Sequence, residues 1–376
     1  MILVTGASGH VGNVLVRQLA ERNEPLRLFM QPNETVVSLD GINCEIAVGD
    51  IRDAAAVDRA VKGCNKVFHL AGIIDISSGH DDLLRTVNVE GTRNIVNSCL
   101  ANGVDRLVYV STIHAIPEPP HGVTIKEAER RAFPSQDLLG PYAKSKSAAT
   151  DVVYKGIEQG LDAVIVFPTG IIGPGDYRGS YFGNFLSYLL KNSRRRSLPC
   201  FKGAYDFVDV RDVSDALIKA MNHGESGQGY ILSGHRITLT EMFREVSQIV
   251  NRRKVRLVIF PLWLVKFGAF VITFFARLFR RRPFYTMYSI QVLESNSEVD
   301  NSKARAKLGY SPRPMDITLR ETIEFLKGIH ADNRAKRRER RRAKAQARAA
   351  KCRRARARIA AFFKRLRGGK TSTMAL

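Results

Sequence analysis

Cysteine is scarce and poorly placed for cross-linking. The chain holds five, Cys44, Cys64, Cys99, Cys200 and Cys352, with no CxxC spacing. An odd, scattered set fits reduced thiols better than a disulfide frame. No His/Cys/carboxylate group has metal-ligand spacing, so no metal is expected. No leader is expected either. The first apolar run already reads as a strand from residue 2, which argues against secretion and for a cytoplasmic protein. Acids nearly vanish from the C-terminal part: residues 334–370 carry 18 Lys and Arg against one acid, Glu339.

That imbalance accounts for most of the +23 net charge of the 376 residues. The body is only mildly basic, has an ordinary apolar fraction, and can form one large or two smaller domains.

Its first twelve residues, Met1-Ile-Leu-Val-Thr-Gly-Ala-Ser-Gly-His-Val-Gly12, are the strongest signal. Ile2 to Val4 suit a buried parallel strand, and the residues from Val14 to Ala20 suit a helix with an apolar face. Gly6 permits the tight turn, Gly9 the approach of a pyrophosphate, and Gly12 close packing of helix on strand. Ser8, His10 and Val11 complete a turn whose helix N-terminus offers N–H groups to phosphate.

Strands and helices then alternate to about residue 170, the mark of a doubly wound parallel sheet. Strands are read at 26–30, 44–48, 66–70, 106–110 and 163–167, and a helix at 88–100. Ligands in such sheets sit outside the C-terminal strand ends. The loops after residues 4, 30, 48, 70, 110 and 167 should line one crevice, with Leu70, Ala71 and Gly72 in the fourth. An acid ending the second strand would hold the ribose of NAD, and an Arg would favour NADP. Gln31-Pro32-Asn33 is neither, so the choice within NAD(P) stays open.

Tyr142 and Lys146 lie four apart on a second candidate helix that follows Gly140-Pro141. They share a face, and a lysine there lowers a phenol's pKa so that Tyr142 can trade a proton with a carbonyl or alcohol.

The Thr-Gly-x-x-Gly-x-x-Gly turn and the Tyr-x-x-x-Lys pair resemble the extended branch of the short-chain dehydrogenase/reductases, the NAD-dependent epimerase/dehydratases. The resemblance covers about residues 1–328. It implies a Rossmann-type domain over 1–170, a smaller C-terminal substrate lobe over 171–330 and a basic tail over 331–376, helical or disordered alone. It implies a catalytic set of Thr112, Tyr142 and Lys146, with Ser111 as the substitute for Thr112 and Lys146 also gripping the nicotinamide ribose. Asp50 and Ile51 match the family's adenine-edge pair. Asn88 matches a helix Asn that shapes the crevice. Pro168, Gly170 and Ile171 would border the nicotinamide. Sugar-nucleotide members carry an Arg before that Pro; here it is Phe167. The family often pairs through helices near the Tyr helix, which implies a homodimer.

Within the branch the chain looks most like the dihydroflavonol 4-reductase-like and 3β-hydroxysteroid dehydrogenase-like groups. The loops facing the reaction centre are apolar, with Ile74, Ile113, His114 and Tyr177 as candidate substrate contacts. They suit a hydrophobic, steroid-like alcohol or ketone. The alternatives are a sugar-nucleotide epimerase/dehydratase that keeps its NAD(P), and a non-catalytic NAD(P)-binding tether.

Residues 257–276 form an apolar run that contains Pro261, Trp263 and Lys266 and is followed by Arg277 and residues 280–282. The run is long enough for a bilayer. We read it first as a lid helix that touches a membrane, next as a buried helix, and last as a span. In the tail Ile359, Phe362, Phe363 and Leu366 make one apolar stripe among cations. Segments 257–282 and 334–370 therefore point to an anionic membrane surface, and nucleic acid is the weaker reading of the same charge.

Overall fold

A computed structural model describes residues 1–34, 37–75, 81–135, 137–252, 255–278 and 287–368. The candidate positions 280–282 and residues 76–80, which follow the loop that carries Ile74, lie outside them. The chain divides into two compact units, Met1–Ile323 and Glu324–Leu376.

The first unit is built on a seven-stranded sheet of Rossmann type. Its strands are β1 (Ile2–Thr5), β2 (Leu26–Met30), β3 (Glu45–Val48), β4 (Lys66–His69), β5 (Arg106–Val110), β6 (Ala163–Pro168) and β10 (Gly229–Leu232), in the order β10-β6-β5-β4-β1-β2-β3. All six pairings are parallel. Helices α1 (His10–Glu21), α2 (Ala54–Val61), α3 (Asp81–Leu84), α4 (Gly91–Ala101), α5 (Gly140–Glu158) and α7 (Val210–His223) connect and flank the strands. Strand side chains alternate between two faces, and both faces of the inner strands are buried, while the edge strand β3 is largely exposed. Leu107 and Tyr109 of β5 enter one core with α2, α4 and α5, while Val108 enters the other with α1 and α7. Strand order reverses at β1, between β2 and β4, which opens a crevice where β1 and β4 end.

The sequence reading placed the first six strands to within one or two residues of their ends and left β10 out. β10 is short and begins with Gly229, whose missing side chain makes room for the Phe167 ring. Phe167 is itself fully buried and stacks on Phe133. The position where sugar-nucleotide relatives carry Arg is here a core residue.

The remaining elements cover the crevice. β7 (Gly170–Ile172), β9 (Ala204–Asp209) and β11 (His235–Thr238) form a three-stranded sheet, and β8 (Ser197–Cys200) pairs with β12 (Arg256–Ile259). Around them lie α6 (Tyr181–Asn192), α8 (Leu239–Asn251), α9 (Leu262–Leu278), α10 (Met287–Glu294) and α11 (Ser302–Leu308). Asp209 caps α7, and α8 opens on a reciprocal Thr238/Glu241 capping box. Among the described residues no helix is long and apolar enough to cross a membrane. The helix α12 (Met315–Gly368) begins before the unit boundary, and its residues 324–368 make up the described part of the second unit, basic segment included.

Candidate active site

The glycine turn has the geometry that a dinucleotide requires. Gly6 has φ +71°, a conformation that L side chains rarely adopt. A Cβ on Gly12 would lie 2.1 Å from the Gly6 carbonyl oxygen, so only glycine lets α1 start this close to β1. Gly9 caps α1 with no side-chain hydrogen bond, and the first turn holds no acid. The first N–H groups of α1 are therefore left to a ligand, and the positive helix end favours an anion. This cradle fits the pyrophosphate of NAD(P).

A buried polar chain fixes the neighbouring loop. Thr92 Oγ1 donates to the Asn88 carbonyl (2.6 Å) and so accepts from His69 Nε2 (3.0 Å). His69 is then protonated on Nε2 and accepts at Nδ1 from Thr5 Oγ1 (2.8 Å). Thr5 Oγ1 in turn accepts from the N–H groups of Leu70 and Ala71 (3.2 and 3.1 Å). Complete burial pushes the His69 pKa down to about 3, so the ring stays neutral and the chain keeps one polarity. β4 is thereby pinned to β1 where the crevice opens.

Tyr142 and Lys146 sit on α5, both buried. Lys146 Nζ donates to the Tyr109 hydroxyl (2.8 Å) and the Val110 carbonyl (2.7 Å), and lies 4.4 Å from the Tyr109 ring centroid. Burial pushes its pKa down to about 7. Ser111 is tied to α5 through Thr150 (Oγ–Oγ1 2.8 Å), which leaves Thr112 as the hydroxyl that opens the next turn. Asn88 lies on a π-helical turn, Arg85–Glu90. It accepts from the Ile73 N–H (2.8 Å) and donates to the Ile73 carbonyl (3.1 Å) and to Ser145 Oγ (3.0 Å). It therefore clamps the β4 loop to the Tyr142 helix.

A cavity of about 570 Å³ brings most of the predicted residues together. Gly6, Gly9, His10, Val11 and Gly12 line it, with Leu70, Gly72 and Ile74 beside them. Ser111, Thr112, His114, Tyr142 and Lys146 follow, then Pro168, Gly170 and Ile171. His10 Nε2 donates to the Pro174 carbonyl (3.2 Å), and burial lowers its pKa. His114 is held by the Tyr205 hydroxyl (Nε2–O 2.7 Å), and burial lowers its pKa to about 4, so it presents a neutral ring.

Six predicted residues are placed elsewhere. Ser8 and Ala71 belong to the turn and the β4 loop but do not line the cavity. Asp50 holds Arg52, which lowers its pKa, and neither it nor Ile51 lines the cavity. Ile113 is buried behind His114, against a smaller cavity of about 210 Å³. Tyr177 is 43% exposed on a loop that closes over the glycine turn through Asn13 Nδ2 and the Gly175 carbonyl (3.0 Å).

Sequence reasoning missed two features. The first is Glu34. Pro32 and Asn33 (φ +62°) form a reverse turn closed by the Glu34 N–H and the Gln31 carbonyl (3.1 Å). The turn brings an acid back to the glycine loop, where Glu34 accepts from Ser8 Oγ (2.5 Å) and pairs with Arg178. The Pro-Asn dipeptide was the available signal. The second is the aromatic wall of the cavity: Tyr181, Phe182, Phe185 and Tyr188 of α6, Tyr205 of β9 and Phe243 of α8. In sequence these are ordinary amphipathic positions.

A family model, the NAD dependent epimerase/dehydratase family, matches residues 2–233. The chain belongs to that family. Sterol demethylase protein B of Methylococcus capsulatus is 33% identical over 86% of this chain and 98% of its own length. The 2-alkyl-3-oxoalkanoate reductase of Stenotrophomonas maltophilia is 27% identical over 88% and 99%. Among solved structures, gox2253 superposes with a TM-score of 0.72 at 29% identity, over 87% of this chain and 98% of that one. This member of the family is an NAD(P)-dependent enzyme of oxidoreductase type.

Proposed function

We propose that the enzyme moves a hydride between nicotinamide and a secondary alcohol or ketone on a hydrophobic, ring-bearing substrate of sterol type. The observation that carries this reading is the cavity. It joins the glycine turn and the Thr112/Tyr142/Lys146 group to an aromatic wall of α6, β9 and α8. Two relatives have names that refer to a sterol and to an alkyl oxoalkanoate, both rich in hydrocarbon.

Bound nicotinamide supplies or accepts the hydride. In the reducing direction Thr112 donates a hydrogen bond to the carbonyl oxygen. Tyr142 gives that oxygen its proton as the C=O π bond opens, and solvent reprotonates the phenolate. The Lys146 ammonium lowers the cost of that phenolate. Glu34 beside Ser8 would receive ribose hydroxyls and repel a 2′-phosphate, which favours NAD over NADP. A sugar nucleotide would need cations for its diphosphate. Among the described residues no arginine lines the cavity.

The test follows nicotinamide absorbance of the purified protein with NADH or NADPH and a panel of 3-ketosteroids. Stoichiometric loss of reduced cofactor, faster with NADH, is expected. Cofactor binding with no consumption across the panel would count against net redox chemistry on such rings.

A further inference from the structure

The α9 helix is apolar on both sides, and among the described residues only one side has a covering. Val265, Gly268 and Ala269 line the cavity. On the opposite side Trp263, Phe267 and Phe270 stand at i, i+4 and i+7, and are 70%, 62% and 65% exposed. Scattered apolar residues on a surface are ordinary, but three large aromatics on one helical stripe are not. Val258 and Ile259 of β12, which lead towards the helix, are exposed as well, while Phe260 after them lines the cavity. Lys266, the one cation among the helix's described side chains, is turned aside into a 3.0 Å pair with Glu294 of α10.

We infer that this face of α9 rests on a phospholipid surface and that the cavity behind it is loaded from that surface. Trp and Phe are the side chains that settle at the headgroup boundary. Exposed Arg194, Arg195, Arg196, Arg252 and Arg256 lie at the N-terminal ends of the β8/β12 ribbon that delivers the chain to α9. Their charge complements anionic headgroups rather than a second copy of this basic chain. Among the described residues no helix is long and apolar enough to span, and a monotopic contact needs only one face to dip in while the other walls the cavity. The surface contact stands without the substrate assignment, since it rests on the outer face alone.

Trp263 is the only tryptophan in the chain, so its emission reports this face directly. The experiment adds full-length protein to vesicles of phosphatidylcholine doped with phosphatidylglycerol, with and without brominated acyl chains. The inference expects a blue shift and bromine quenching of Trp263. It expects Phe267→Glu/Phe270→Glu to lose both while retaining cofactor binding, which shows that the variant is folded. Three results would overturn it. One is co-sedimentation with unchanged Trp263 emission, which assigns membrane binding to the basic segment. Another is the same blue shift without vesicles as protein concentration rises, which assigns the face to a second copy. The last is quenching that survives the double substitution.

Discussion

Tyr142 carries the chemistry in this account, and Tyr142→Phe should cut turnover by about 10²- to 10⁴-fold while cofactor affinity stays unchanged. Steady-state rates with parallel cofactor titration check it. Lys146 is more unusual, because it is buried with its Nζ on Tyr109 and Val110. Its pKa is near 7 in the fold against an ordinary 10.5, so between those values the unfolded chain binds the extra proton. Stability of the cofactor-free protein should therefore rise as pH climbs from about 7 to 10.5. The extra slope, at most about 1.4 kcal/mol per pH unit, should vanish in Lys146→Met. Denaturant unfolding of both proteins across that range measures it. Glu34→Gln should narrow any preference for NADH over NADPH, read as the ratio of the two kcat/KM values. An unchanged ratio would remove Glu34 from cofactor choice.

At the scale of elements, most of the sheet was legible because strands buried on both faces are continuous apolar runs. Leu26–Met30 and Arg106–Val110 have the ends that the sequence suggested. The glycine turn was legible because each glycine answers a backbone need that no side chain tolerates. Gly12→Ala should therefore abolish cofactor binding, as calorimetry can show, since its Cβ would meet the Gly6 carbonyl oxygen. What stayed hidden depends on long-range packing. Phe167 looked like a departure in the active site until Gly229 and Phe133 placed it in the core. Glu34 looked remote until the Pro32-Asn33 turn folded it back. Helix caps are a smaller matter. Asp53 caps α2 by accepting from Ala55 and Ala56, and Asp53→Ala should lower the unfolding free energy by about 1 kcal/mol.

At the scale of the whole molecule, the sheet's switch point and the covering elements line one cavity of about 570 Å³. Thr112, Tyr142 and Lys146 lie on its sheet side, and aromatic and aliphatic side chains make up most of the wall supplied by the covering elements. That division is what hydride transfer to a hydrophobic ketone requires: charge and proton chemistry at one end, shape and apolar contact at the other. The most direct measurement is a reaction with NADH deuterated at the transferring position of C4 and a 3-ketosteroid, analysed by mass spectrometry and NMR. The account predicts deuterium on the new carbinol carbon, with loss of one reduced cofactor per product and no transfer in Tyr142→Phe. Unlabelled product, or cofactor that is bound yet never consumed across the ring ketones, would contradict it.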